Sequence, residues 1–440
     1  MRRGEYFFSA FSAVSAFNVF FGAVMHAQRV ITDLRELAAR TSTPDGAQRL
    51  AWGPVWREAR EWFKGRVAEL GLRVETDSAG NNWVVLRGVS PKTVIVGSHL
   101  DSVPNGGWLD GCLGMMAGLE ALRMHAGTSP PVTLRLVDWA DEEGARFGRS
   151  LLGSAAAAGS LKIESVRELT DRQGTRLVDA LAENGVVLDR MLDAHAELKA
   201  IDARAYLELH IEQGPVLESL QKPTGVVLGT FGVERHMLRF TGQAAHSGST
   251  PIPMRRDAFL AAAQTALECR EIAIRHSKPA QPGGNVVCTV GIVNVEPKIV
   301  TAVPGVCEIS LDQRALEAEV LARMLRDARH AADRAARENH VTVEWRELWR
   351  IEPRPFDAAL VRLCEEAVRE ETGQATRLPS GPLHDAAEMV PHMPVVMMFA
   401  YSSNGLSHCK EEDTPTAHLE TTIRAYLRLV EKTIAHVAAG

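Results

Sequence analysis

What this chain lacks narrows the field first. Its six cysteines, Cys112, Cys269, Cys288, Cys307, Cys364 and Cys409, are scattered with no CxxC pair among them. Disulfides are therefore not expected, and free thiols in a reducing compartment, the cytoplasm, fit best. There is no basic excess: 49 Lys and Arg stand against 55 Asp and Glu, a formal charge of -6, and nothing suggests a nucleic-acid partner. Beyond the N-terminus no segment suggests a membrane span. With 45% hydrophobic and 24% charged residues, the composition is that of a soluble globular protein rather than a disordered or membrane-embedded one. A length of 440 residues is too great for one ordinary core, and about two or three domains are expected.

The one long uncharged run, Phe7 to Met25, follows Arg2 and Arg3 and mimics a signal peptide or short anchor. Ser9, Ser12, Ser15 and Asn18 dilute it, and no small-x-small cleavage site follows. Residues 1–27 are expected to be an extension outside the fold, with a cleaved signal or peripheral anchor as the alternatives.

The chain is organised around TVIVGSHLDSVPNGGWLDGCLGMMAG, Thr93 to Gly118. The β-branched run Thr93 to Val96 predicts a buried strand, and polar chemistry begins where it stops. Ligands of open α/β sheets bind beyond the carboxyl ends of the strands, so His99 is placed as a metal ligand and Asp101 as the carboxylate that aims it. Asp110, before a small-residue helix, could bridge two metals. Alone, the same residues would also suit a hydrogen-bonded turn with an N-cap.

Later strand ends shift that balance. Val132 to Val137 is followed by Asp141, Glu142 and Glu143; one carboxylate can bind metal while its neighbour acts as base. Tyr206 to Glu218 alternates like a strand and offers His210 and Gln213 before Gly214 and Pro215. Val395 to Phe399 predicts another buried strand, followed by Gly405, Ser407 and His408. The set His99, Asp110, Glu143, His210 and His408, with Glu142 left over, suits two divalent ions of the Zn, Mn, Co or Ni type. Such a pair polarises water, and Glu142 would take and return the proton, so the reaction class is hydrolysis.

The scaffold is expected to be mixed-sheet α/β, with helices at Gln28 to Ala39 and Trp52 to Leu70, strands at Gly71 to Val74 and Asn82 to Leu86, and a charged helical insertion at Leu161 to Arg204. Glu234 to Arg350 follows a β-α-β-β-α-β order, that of a split βαβ domain. The expected division is 28–232 with 351–440 as a catalytic domain and 233–350 as an inserted ferredoxin-like domain.

The runs GSHLDSVPNGGWLDG, DEEGARFGRSLLGS, ELHIEQGP, GQAAHSGSTPIPMRRDA and GLSH resemble the M20 metallopeptidase superfamily, and within it the hydantoinase/carbamoylase amidohydrolases. The resemblance runs from about Val30 to the C-terminus. HIEQGP and the GARF run are characteristic of the carbamoylase branch. It implies the metal and base assignments above and a homodimer whose inserted domain is both lid and dimer contact. It also implies that Gln213 contacts the substrate amide, His246 of the partner subunit stabilises the oxyanion, and Arg314 holds the substrate carboxylate. Two departures stand out. Lys298 and Thr301 replace a usual pair of asparagines, and SGPLHDA replaces SGAGHDA beside His384, so all three belong to the expected substrate site. The expected substrate is an N-carbamoyl-L-amino acid, allantoate, 3-ureidopropionate or a related ureido acid. A dipeptidase or aminoacylase is the alternative; a non-catalytic binding protein would require a lost ligand or base, and none is lost.

Overall fold

The computed structural model describes residues 25–278 and 286–440. The reading of the N-terminal apolar run therefore lies outside the described residues as far as residue 24. A helix is under way from residue 25, and Ala27 is fully buried. Among the described residues no helix is long and apolar enough to cross a membrane. The chain forms two compact units: the first takes the chain up to Leu228, Phe356–Arg377 and His384–Gly440, the second Gly229–Pro355 and Leu378–Leu383.

In chain order the principal strands are β1 (Val74–Thr76), β2 (Asn82–Leu86), β3 (Ser90–His99), β4 (Val132–Trp139), β5 (Ala203–Ile211), β6 (Thr224–Thr230), β7 (Gly232–Thr241), β8 (Val286–Thr289), β9 (Val293–Glu296), β10 (Val306–Ala315), β11 (Thr342–Ile351) and β12 (Val395–Ala400). The first unit carries a mixed sheet in the order β6-β12-β5-β3-β4-β2-β1. β3, β4, β5 and β12 are parallel, whereas β6, β2 and β1 join antiparallel. The parallel strands are buried along almost their whole length, as in a sheet covered on both faces. Val94, Ile95 and Val96 are 0% exposed, each contributing about 1.5–3 kcal/mol of transfer free energy. Register then decides where the chemistry falls. His99 pairs with Trp139 and His210 with Phe399, so the polar residues that follow β3, β4, β5 and β12 emerge at one end of the sheet.

Two expectations for this unit need correction. The strand foreseen at Gly71 to Val74 is Val74–Thr76, because the preceding helix, Pro54–Ala68, unwinds through a turn at Gly71, whose φ is +70°. Leu161 to Arg204 is not a long helical insertion but short pieces, Ile163–Ser165, Leu177–Glu183, Leu188–Arg190 and Asp193–Lys199. Asp171 interrupts it, accepting from the N–H of Gln173 (3.0 Å) and Thr175 (2.8 Å) in a side-chain-closed turn that competes with helix.

The second unit has an antiparallel sheet in the order β8-β10-β7-β11, with β9 also paired to β10. Helices Ala258–His276 and Ala318–Glu338 close a core containing Leu238, Phe240, Ile309, Leu311 and Met324. The first of these helices starts cleanly because Asp257 accepts from the N–H of Phe259 and Leu260. The one strand that the β-α-β-β-α-β order places directly after the first helix is split into β8 and β9. Ser310 Oγ accepts from Gly291 N (3.3 Å) and Ile292 N (2.9 Å), which takes those N–H groups out of the ladder.

Candidate metal centre

The turn after β3 is built to bring Asp110 back over His99. Gly111 has φ +64°, and a Cβ there would lie 2.5 Å from His99 Cε1, so only glycine lets the chain pass the imidazole. Helix Cys112–His125 starts at once, and its N-terminal N–H groups favour the nearby carboxylate. Arg49, fully buried, donates to Leu100 O (2.8 Å) and Gly107 O (3.5 Å), fastening both ends of the loop.

Asp110 stands between two groups of side chains. Its Oδ1 lies 3.1 Å from His210 Nε2 and 3.5 Å from His99 Nε2. Its Oδ2 lies 3.5 Å from His408 Nε2, which is in turn 3.2 Å from Glu143 Oε2. His99, Asp110 and His210 thus form one group able to hold a metal ion, and Asp110, Glu143 and His408 a second. A third, Glu208, His210 and His384, differs because Glu208 already accepts from Ser98 Oγ (3.0 Å), Tyr206 OH (3.0 Å) and Ala386 N (3.1 Å). Glu208 therefore supports the floor of the site.

The donors suit divalent cations. Three imidazoles and two carboxylates are the ligand types of Zn, Mn, Co and Ni. Nε2 of His99 is buried without a hydrogen-bond partner, which costs about 1–3 kcal/mol unless its lone pair is used. The acids also outnumber their neutralising partners. Burial raises the Glu142 carboxyl well above its usual range, with Asp385, Glu143 and Asp101 adding to the rise and His99 opposing it. Burial and Asp110 do the same to Glu143. Burial would raise Asp110 too, but His210 and His99 outweigh it and hold that carboxyl well below the usual range. A divalent charge reverses this balance for every acid around it.

Asp101 has a wider task than aiming His99. Its Oδ1 is 3.5 Å from His99 Nδ1, and its two oxygens also accept from the backbone N–H of Glu142 (3.3 Å) and Glu143 (3.1 Å). It fixes both glutamates relative to β3. Glu142 Oε2 sits 3.7 Å from His99 Nε2. Gln213, with left-handed backbone at φ 56°, donates to Asp110 Oδ2 (2.8 Å) and Ser407 Oγ (3.2 Å). Its amide here serves a site carboxylate. The His384 ring lies 4.5 Å from that of His210, and burial and His210 hold it well below the usual imidazole range, hence neutral.

The remaining expected site residues belong to the second unit. His246 and Thr301 adjoin one another across the strand pair Ala245–His246 and Ala302–Val303; Ser247 N donates to Thr301 O (2.9 Å). His246 Nδ1 accepts from Gly248 N (3.1 Å) and Ser249 N (3.2 Å), which presents Nε2 outward. Lys298 is exposed, with φ 60°. Arg314 donates to both oxygens of Asp312 (2.9 and 3.2 Å) and to Gly381 O (3.3 Å), so its guanidinium is oriented in advance.

Three residues have roles at the site that the sequence reading did not assign: Asp138, which opens the polar run after β4's apolar residues, accepts from Leu100 N (3.0 Å) and pairs with Arg60 (2.7 Å); Glu208; and Glu412. The signal for Glu208 was its strand alternation with His210. For Glu412 there was none, since Glu411, Glu412 and Asp413 look like a solvated charge run.

Comparison with known proteins agrees with this geometry. Residues 95–432 match the model of peptidase family M20/M25/M40. An N-carbamoyl-L-amino acid amidohydrolase of Geobacillus stearothermophilus is 35% identical over 402 residues, 88% of this chain and 94% of the relative. An allantoate amidohydrolase of Escherichia coli is 33% identical over 385 residues, covering 86% and 91%. Among solved structures, a hydantoinase/carbamoylase family amidase from Burkholderia multivorans superposes with a TM-score of 0.81 at 30% identity, over 94% of this chain and 98% of that one. The chain belongs to the M20/M25/M40 peptidase family, among its hydantoinase/carbamoylase amidases.

Proposed function

We propose that this enzyme is a dinuclear-metal-dependent amidohydrolase that cleaves a carbon–nitrogen bond, other than a peptide bond, in the N-carbamoyl group of a small carboxylate. The products are ammonia, carbon dioxide and the freed amine. The observation that carries the reading is Asp110, one oxygen turned to His99 and His210 and the other to His408 and Glu143. The names of the two relatives support the ureido class, N-carbamoyl-L-amino acids for one and allantoate for the other.

On this reading His99, His210, Asp110, Glu143 and His408 hold two divalent ions. When bound, these supply Lewis acidity that polarises the ureido carbonyl and acidifies water. Glu142 accepts the proton of the attacking water and returns it to the departing nitrogen. Asp101 keeps Glu142 and Glu143 in place through their backbone N–H groups. Gln213 and His384 line the substrate side, and His246 of the partner subunit donates to the developing oxyanion. Arg314 receives the substrate carboxylate, its planar fork suited to bidentate contact. A homodimer is supported by helix Ala258–His276, which exposes Leu260, Leu267 and Ile274 at seven-residue spacing, and by Val287 and Val293, exposed on β8 and β9. Six free cysteines favour a reducing, cytoplasmic setting.

The test is metal analysis of the purified protein together with ammonia release across N-carbamoyl amino acids, allantoate and 3-ureidopropionate. Amino acid release from dipeptides or acyl-amino acids, with no ammonia from any ureido acid, would replace this reading by a dipeptidase or aminoacylase. Arg314→Ala should cost about 2–5 kcal/mol in kcat/KM on the charged substrate and far less on an uncharged amide analogue. Equal losses on both would remove Arg314 from the carboxylate. Lys298 and Thr301 shorten one hydrogen-bonding side chain and add a cation, so ureido acids with a second acidic or polar group should outrank those of large apolar amino acids. Rankings unchanged in Lys298→Ala and Thr301→Asn would show that this loop does not read the substrate.

A further inference from the structure

Glu412 is 2% exposed, and among the described residues it forms no salt bridge. Its carboxylate is instead engaged by the loop that carries Asp110. Oε1 accepts from the backbone N–H of Leu109 (3.1 Å) and of Asp110 itself (3.0 Å). Oε2 lies 2.9 Å from Ser407 Oγ, the residue before His408, and the same hydroxyl is 3.1 Å from Asp110 Oδ2. A second tie joins the two loops, Trp108 Nε1 donating to Asp413 Oδ1 (3.2 Å).

Two backbone features depend on this carboxylate. A Cβ at Gly107 would fall 2.0 Å from Glu412 Oε1 and 2.5 Å from its Cβ, so position 107 is bare where the carboxylate must enter. His408 has φ 59°, a left-handed conformation that a residue with a side chain holds only when its surroundings impose it. Ser407, tied to Glu412, is the adjacent restraint.

We propose that Glu412 is a positioning residue that sets Asp110 and His408 relative to one another by clamping the backbone of one and the neighbouring hydroxyl of the other. Its action is through hydrogen-bond geometry. It touches neither substrate nor cation. The proposal rests on the metal-centre reading above, and it assigns Glu412 chiefly to the group formed by Asp110, Glu143 and His408.

The hydrogen-bond inventory separates geometry from charge. In Glu412→Gln the carbonyl oxygen still accepts from Leu109 and Asp110, and the amide donates to Ser407 Oγ, freeing the hydroxyl hydrogen for Asp110 Oδ2. Glu412→Ala loses all three contacts. Gly107→Ala leaves Glu412 chemically intact and pushes it away.

The experiment measures zinc stoichiometry and dissociation constants against a metal-buffering chelator, with the melting temperature of each metal-free protein. Wild type should bind two zinc ions per chain. Glu412→Ala should weaken one of them by about 10–100-fold, the range for losing a partner behind a metal ligand. Gly107→Ala should shift the same ion in the same direction, and Glu412→Gln should stay within about threefold of wild type. Should Glu412→Ala not fold, Glu412→Gln against Gly107→Ala decides. Unchanged affinities in Glu412→Ala, or Glu412→Gln no better than Glu412→Ala, would overturn the proposal with the metal centre intact. No zinc bound by wild type would overturn the metal-centre reading, and this one with it.

Discussion

Chelation of the purified protein should abolish ammonia release from the proposed ureido substrate, and Mn, Co, Ni or Zn should restore it. Around Asp110 the site gathers Asp101, Glu142 and Glu143 with His99, His210 and His408, and burial with mutual repulsion raises the two glutamates. Like charges at such spacing are tolerable in a buried site only with protons or cations among them. Without cations burial and the neighbouring acids favour the protonated form of Glu142, which opposes its acting as base. Loss of metal should therefore weaken the proposed base as well as remove the proposed Lewis acid. Stability should follow, because a ligand that binds only the folded state at a thousand times its Kd contributes about 4 kcal/mol. The melting transition of the first unit should fall on chelation and recover on reloading. Unchanged turnover in protein verified to be metal-free would refute the dependence.

The legible part of this chain was the part where local pattern and buried environment coincide. β3 and β12 hold apolar runs, Val94 to Val96 and Val395 to Ala400, that stop where polar residues begin, and β4 does the same apart from Thr133 and Arg135; strands covered on both faces favour such runs. The alternation of the second unit between strand and helix periods was equally visible, although the start of its first helix at Asp257 was not. What could not be read is non-local. That β5 lies between β3 and β12, and that His210 comes level with Phe399, depends on pairings between segments separated by more than a hundred residues. The split of β8 from β9 depends on a hydroxyl at Ser310 reaching across from another strand. Glu412 is the clearest case: a lysine and one acid before it and an aspartate after it describe a solvated turn, and only the bare Gly107, about three hundred residues away, makes room to bury it. Asp101 shows the converse. Its place behind His99 was visible from a spacing of two, whereas its hold on the Glu142 and Glu143 N–H groups required the parallel register of β3 with β4.

Glu142→Gln should retain the metals and lose at least about 10²-fold in kcat, the lower bound for removing a positioned general base. The change is isosteric, so the amide occupies the same volume over His99 while having no lone pair basic enough to take a proton. The neighbouring carboxylate gives the contrast. Glu143 Oε2 is 3.2 Å from His408 Nε2, and Glu143 is a member of the second candidate metal group, whereas Glu142 belongs to none. Glu143→Ala and His210→Ala should therefore lose metal, and their activity losses should be partly recovered at high metal concentration. Glu142→Gln should show no such recovery, because nothing added from solution replaces a base held in place by the hydrogen bond from its own backbone N–H to Asp101. Substrate binding should survive, leaving KM near its wild-type value while kcat falls. Metal content and steady-state kinetics on the three variants make the distinction. If Glu142→Gln emptied the site and Glu143→Ala kept both ions, the roles of the two glutamates would be exchanged.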